Sequence, residues 1–106
     1  MTRTWTVSFT ATAAEQAQVV NDWWMQERPS APALFAEELT RAIERLKSMP
    51  GSGAVFDSAS VPGARRILLP RCGYHVYYTL DSKRREVLIR AIWHSARGSG
   101  PELGQV

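Results

Sequence analysis

GARRILLPRCGYHVYYTLDSKRREVLIRAIWH, residues 63–94, holds three runs rich in branched and aromatic residues, Ala64–Leu69, Tyr74–Leu80 and Val87–His94. Two short polar breaks separate them, Pro70-Arg71-Cys72-Gly73 and Asp81 to Glu86. Runs of this composition read as strands, and connections this short join antiparallel neighbours, so the segment predicts a three-stranded meander. Alternation puts Tyr74, Val76, Tyr78 and Leu80 on one face of the middle strand. The third run is apolar on both faces apart from Arg90, which predicts an interior strand.

Upstream, Trp5, Val7 and Phe9 alternate with Thr6 and Ser8, the period of a strand with one buried face. Thr12 followed by Glu15 fits a capping box, so a helix is expected from there to about Glu27. Its apolar stripe is Ala13, Ala17, Val20 and Trp24, widened by Val19 and Trp23. Arg28-Pro29-Ser30-Ala31-Pro32 breaks the pattern. A second helix follows, with Phe35, Leu39, Ala42, Leu46 and Met49 on one side and Glu37, Glu38, Arg41, Glu44, Arg45 and Lys47 on the other. Two amphipathic helices joined this tightly form an antiparallel hairpin. From Pro50 to Gly63 no period persists, and the stretch reads as a loop pinned by Val55 and Phe56. The expected architecture is one α+β domain over residues 1–106: an N-terminal strand, an antiparallel helical hairpin on one face of the sheet, then the meander. The other face is left to function or solvent, and residues 95–106, with Gly98, Gly100, Pro101 and Gly104, read as a flexible tail.

At 106 residues, 44% hydrophobic and 22% charged, the chain has room for one core. No apolar run reaches the ~20 residues of a membrane span, and Met1 to Phe9 lacks the features of a secretory leader, which predicts a cytoplasmic protein. One cysteine, Cys72, excludes an internal disulfide, and with two histidines it offers too few ligands for a structural zinc. No metal or cofactor is expected. The net charge of +3 is uneven: residues 1–62 carry −2 and residues 63–106 carry +5. That asymmetry reads as a basic face for an anionic partner or as a solvated surface.

Within the basic half, Arg65 and Arg66 lie on opposite faces of their strand, and alternation leaves open which points outward. Lys83-Arg84-Arg85 reads as a solvated turn. Arg90, inside an apolar strand, must reach a groove or enter an internal ion pair. His94 and Arg97 come to the same sheet edge, a pair suited to phosphate or carboxylate, unless His94 is simply capped there. His75, Tyr77 and Thr79 share a face and read as sheet-stabilising neighbours. Gly51-Ser52-Gly53 and Gly98-Ser99-Gly100 read as hinges, since neither sits between a strand and a helix with a following Gly-Lys. The sequence holds no nucleophile elbow, paired-carboxylate arrangement or Cys-His constellation. Trp23 and Trp24 point about 100° apart on their helix, so one that stays exposed marks a partner groove.

FAEELTRAIERLKSMPGSG, GARRILLPRCGYHVYYTLD and REVLIRAIWHSARGSGP resemble the ParE branch of the RelE/ParE superfamily of bacterial toxin–antitoxin modules. The resemblance spans roughly Trp5 to Pro101. It implies a toxin neutralised by a cognate antitoxin whose C-terminal segment wraps it, and, for ParE-like members, a binding inhibitor that poisons DNA gyrase. Arg71, His94 and Arg97 are then expected to contact the target, and Trp23, Trp24, Arg65, Arg66 and Arg90 the antitoxin. Direct nucleic-acid contact is secondary.

RelE-like members instead cleave messenger RNA on the ribosome, with lysines and arginines across the sheet and a tyrosine or similar group after the last strand. Here Ser95 to Val106 contains no tyrosine, and residues 48–82 contain no lysine. If the chain were such a nuclease, His94, Arg65, Arg71, Arg90 and Arg97 would have to substitute. A third reading is an inactive relative retained only to bind antitoxin.

Overall fold

The computed structural model describes residues 4–58, 60–97, 100, 101 and 103. β1 (Thr6–Phe9) leads into α1 (Ala11–Glu27) and α2 (Leu34–Ser48). A single 3-10 turn, Pro50–Ser52, precedes the two-residue β2 (Ala54–Val55), and β3 (Arg65–Leu69), β4 (Tyr74–Asp81) and β5 (Glu86–His94) complete the sheet. The strand order is β1-β5-β4-β3-β2. The meander β3–β4–β5 is antiparallel as expected, while β1 lies parallel to β5, with Val7 beside Val87 and Phe9 beside Ile89. Parallel neighbours need a long crossover, and the helical hairpin supplies it. β5 is therefore interior, as its apolar run predicted.

The first helix starts earlier than the Thr12–Glu15 box suggests. Thr10 is the N-cap, extended at ψ 161°, and its Oγ1 accepts the Ala13 N–H at 3.1 Å. The Thr10 N–H donates to the Ile89 carbonyl at 2.9 Å, so β1 runs straight into the cap with no linker.

The helices cover one sheet face, burying Trp24, Phe35, Ala42 and Leu46 against Leu69, Val76, Tyr78, Val87, Ile89 and Ile92. Val87 and Ile89 are odd-numbered and Ile92 is even because the β4–β5 register slips between Tyr77 and Tyr78. Tyr77 faces Ala91 but Tyr78 faces Ile89, leaving Arg90 as the extra residue of a bulge that turns both Arg90 and Ala91 away from the helices.

The opposite face is not bare. Val61, Ala64, Tyr77, Ala91 and Leu103 form a second cluster there, flanked by Phe56 and Trp93. Phe56 does pin the 50–63 loop, with its ring 4.8 Å from that of Tyr77, whereas Val55 is exposed on the edge strand. Gly53 is no hinge: its N–H donates to the Tyr78 hydroxyl at 2.9 Å, and a Cβ there would stand 2.7 Å from the Arg66 carbonyl oxygen. The expectation of a tail free of the core is also corrected. Pro101 is buried and Leu103 is 1% exposed within the second cluster, so these two residues lie against the core. Gly98 and Ser99, two of the three residues of the second glycine segment, lie outside the described residues.

No helix among the described residues is long and apolar enough to cross a membrane, and no group of three or more His, Cys, Asp or Glu is placed there to hold a metal ion.

Candidate functional site

The β3–β4 turn and the end of β5 meet at one edge of the sheet. Gly73 is in the left-handed region at φ +80°, the conformation glycine adopts most easily, and lets its N–H close on the Leu69 carbonyl at 2.8 Å. The Gly73 carbonyl then accepts the Ser95 N–H at 2.8 Å, tying the chain after β5 to the turn.

The turn is held from beneath by α2. Glu38 reaches across 33 residues of sequence, its two carboxylate oxygens accepting the Arg71 N–H at 3.1 Å each and one of them the Cys72 N–H at 2.9 Å. At 6% exposure Glu38 belongs to the buried side of its helix, against its expected place on the outer side. The spacing held the signal, since position 38 is three after Phe35 and four before Ala42. Burial alone would raise the Glu38 carboxyl pKa. The Arg71 and Cys72 N–H groups, the Cys72 thiol and the Arg71 charge outweigh it and hold that pKa below the usual value.

The same geometry silences the thiol. Burial and the neighbouring Glu38 carboxylate push Cys72 up from 9.0 to about 12. A thiolate is the reactive species, so Cys72 should hold roughly a thousandfold less of it than an unperturbed cysteine. Iodoacetamide at pH 8 should leave the native chain unlabelled and label it only in denaturant, as mass spectrometry would read directly.

At the edge itself, the rings of Tyr74 and His94 meet at 4.9 Å, nearly perpendicular. His94 Nδ1 accepts the Ala96 N–H at 3.1 Å, and its carbonyl accepts the Arg97 N–H at 3.2 Å. The guanidinium of Arg97 stacks over Trp93, 4.0 Å from the ring centroid. A cleft of about 500 Å³ opens between this edge and α1, lined by Val19, Trp23, Tyr74, Trp93, His94 and Arg97 among others. In its wall, Gln16 Oε1 accepts the Ile92 N–H at 2.9 Å, covering part of the β5 edge that extends past β1. Nothing in the α1 pattern marked Gln16 for this role, because it depends on where β1 stops.

Of the expected target contacts, His94 and Arg97 share this cleft, and Arg71 is exposed on the turn beside it. Trp23 also lines it, 43% exposed, whereas Trp24 is buried in the core and its indole N–H has no partner among the described residues. The other expected antitoxin contacts are dispersed. Arg65 points to the helix side and donates to the Gly53 carbonyl at 2.8 Å and the Gly51 carbonyl at 3.3 Å. Arg66 takes the opposite face, its Nη1 donating to the Tyr77 hydroxyl at 3.2 Å. Arg90 makes no ion pair among the described residues but does line a groove of about 600 Å³ with Ser8, Pro62 and Lys83; Nε donates to Thr79 Oγ1 at 3.0 Å and Nη1 to the Leu103 carbonyl at 3.2 Å. It latches Leu103 to the bulge.

The edge presents hydrogen-bond donors. With Nδ1 accepting a backbone N–H, the neutral His94 ring carries its proton on Nε2, which leaves that atom a donor and not a base. Burial holds the Tyr74 phenol above its usual value, with the Cys72 charge adding to this and Arg97 opposing it. His75 sits on the other face near Tyr77, and burial together with the Arg66 charge lowers its pKa. What remains is one imidazole donor with two fixed guanidinium charges, a set that suits carboxylate or phosphate.

Known proteins place the chain. No curated protein sequence matches it. The chromosomal ParDE toxin–antitoxin system of P. aeruginosa contains a chain 20% identical, with a TM-score of 0.65 over 85% of this chain and 95% of that one. The toxin–antitoxin complex RelBE2 from Mycobacterium tuberculosis gives 21% identity and a TM-score of 0.65 over 92% and 98%. A mutant of the E. coli toxin RelE in the free state gives 15% and 0.58 over 88% and 85%. At these identities the likeness is one of fold. The family model described as the ParE toxin of the type II toxin–antitoxin system parDE matches residues 7–98, nearly the whole chain, and the chain therefore belongs to the ParE toxin family of type II toxin–antitoxin systems.

Proposed function

We propose that the chain inhibits DNA gyrase by binding, stalling it on cleaved DNA, and that a cognate antitoxin with an acidic segment neutralises it. The observation that carries this reading is the Nδ1 bond of His94, which removes the edge imidazole as a base while leaving it a donor beside Arg71 and Arg97. RNA cleavage requires a group that takes the proton of a 2′-hydroxyl; Tyr74, its pKa raised by burial, keeps its proton at neutral pH, and His75 lies beside Tyr77 on the sheet face away from the edge cleft. For the antitoxin, a groove of about 320 Å³ between α1 and α2, walled by Ala14, Ala17, Phe35, Leu39 and Ile43, has the apolar character that a partner helix seeks.

The test is supercoiling by purified gyrase, run beside cleavage of messenger RNA on translating ribosomes. Supercoiling should fall and transcripts should stay intact. Arg71→Ala, His94→Gln and Arg97→Ala together should raise the half-inhibitory concentration more than about tenfold, because each charge-assisted contact is worth on the order of 1.5 kcal/mol or more. Gyrase at full activity with cut transcripts would replace this reading with the nuclease one. Both activities intact, without growth arrest on expression, would leave an antitoxin-binding relative.

A further inference from the structure

We propose that the edge cleft between α1 and the end of β5 seats one short segment of the protein target, a large apolar side chain directly beside a carboxylate. The inference rests on the reading that this edge contacts a protein target. It names the chemistry of that contact, adds Val19 to it, and moves Trp23 from the expected antitoxin contacts to the target's.

The cleft has two unlike sides. On the α1 side, Gln16, Val19, Val20 and Trp23 recur every three or four residues and so share one helix face. Val19 is 63% exposed and Trp23 43%, and two such side chains one turn apart make an apolar wall open to solvent. On the β5 side stand the donors, His94 Nε2 and the Arg97 guanidinium, with Arg71 on the turn beside them.

Both sides are set before anything binds. Trp23 meets the edge of Trp24 with ring centroids 5.7 Å apart, and the Arg28 guanidinium lies 5.0 Å from its own centroid. Arg97 is held over Trp93 at 4.0 Å, and Gln16 ties α1 to β5 through the Ile92 N–H. Walls already ordered spare a ligand the entropy of ordering them. The volume of about 500 Å³ falls within the roughly 300–1,000 Å³ of clefts that combine apolar walls with a few placed polar groups.

The placement of charge selects a carboxylate over a chain of phosphates. α1 leaves Thr10 beside Ile89 and meets Ile92 at Gln16, so Glu15 lies toward the start of the cleft and His94 and Arg97 lie beyond it. Glu15 is the one carboxylate in the lining, roughly 12 Å along the helix axis from Trp23. A nucleic-acid strand would lay one charge per nucleotide along the apolar wall toward Glu15. Only one end of the cleft is basic, which matches a single anionic group there with an uncharged apolar body on Val19 and Trp23. A leucine or phenylalanine next to a glutamate or aspartate has that form. The α1 flank used here shares no residue with the flank lining the α1–α2 groove, where Ala14, Ala17 and Gln18 lie, so the two surfaces can be altered separately.

A fluorescein-labelled Ser-Gly-Leu-Glu-Gly-Ser peptide tests this by anisotropy against the full chain. It should bind with a Kd on the order of 100 μM at low salt, and its Leu-Gln and Ser-Glu versions at least about tenfold more weakly. Val19→Asp and Trp23→Ala, both at solvent-exposed positions, should each weaken binding more than about tenfold with an unchanged circular dichroism spectrum, while Gln18→Ala should stay within about twofold. Equal binding of either altered peptide, tighter binding of a labelled oligothymidine, binding that survives Val19→Asp and Trp23→Ala, or no binding at about 1 mM would each overturn the proposal. The peptide assay contains no gyrase. A chain that binds the peptide and leaves supercoiling intact fails the gyrase reading alone, and one that stalls gyrase without binding the peptide fails this inference alone.

Discussion

Glu38→Ala should be the most damaging single substitution in this chain, lowering stability by about 3 kcal/mol or more. Its carboxylate accepts from the Arg71 and Cys72 N–H groups, the latter in a buried setting. Hydrogen bonds to a charged acceptor are worth about 1.5–3 kcal/mol each, and donors left buried without an acceptor add their desolvation cost. For a domain of this length a loss of that size corresponds to a melting temperature lower by roughly 15 °C, readable by circular dichroism.

The pH dependence separates charge from shape. Because the folded pKa of Glu38 is depressed, its contribution is complete above the unfolded value near 4.5 and is lost as pH falls through the folded value. Wild type should therefore lose stability on acidification below about pH 4.5, and Glu38→Gln should start lower and fall less over that window. Urea midpoints for the two that stay parallel from pH 6 to pH 3 would show that the carboxylate does not hold the turn through its charge.

Leu103→Ala should cost about 2–3 kcal/mol, the usual penalty for truncating a buried leucine. Its side chain is 1% exposed among Val61, Ala64, Tyr77 and Ala91, and its carbonyl accepts from Arg90. Leu68→Ala, on an exposed leucine, is the control and should cost under about 0.5 kcal/mol. A tail read as glycine-rich and unattached would make the two equal, and equal urea midpoints would restore that reading. The consequence reaches the functional assays. Deleting residues 95–106 strips a core residue as well as Arg97, so lost toxicity in such a truncation does not by itself place the target contact in the tail. The point variants of Arg71, His94 and Arg97 keep Leu103 in place, the Arg97 one removing only its stacking on Trp93 at the border of the second cluster.

The candidate site was partly legible. His94 and Arg97 could be grouped from the end of their strand, because a strand boundary fixes which edge its last residue reaches, whereas Arg71 joined them only through the family resemblance. Glu38 and Gln16 could not be assigned roles, since each satisfies backbone donors far away in sequence, and that pairing exists only once α1 and α2 are laid on the sheet. Arg90 was recognised as exceptional and does line a groove, but its bonds go to a hydroxyl and to the Leu103 carbonyl, where an internal ion pair was the other expectation.

Periodicity by itself determined which segments are helices and strands, the antiparallel meander and the helix-facing row of β4, because each depends on neighbours within a few residues. The tertiary structure alone decided that β1 lies parallel beside β5, that a bulge at Arg90 flips the later part of β5, and that Leu103 covers the second face. Those outcomes are set by backbone hydrogen bonds and apolar area closing over long loops. The groups that compete for them are scattered along the chain and carry no local period to betray the winner.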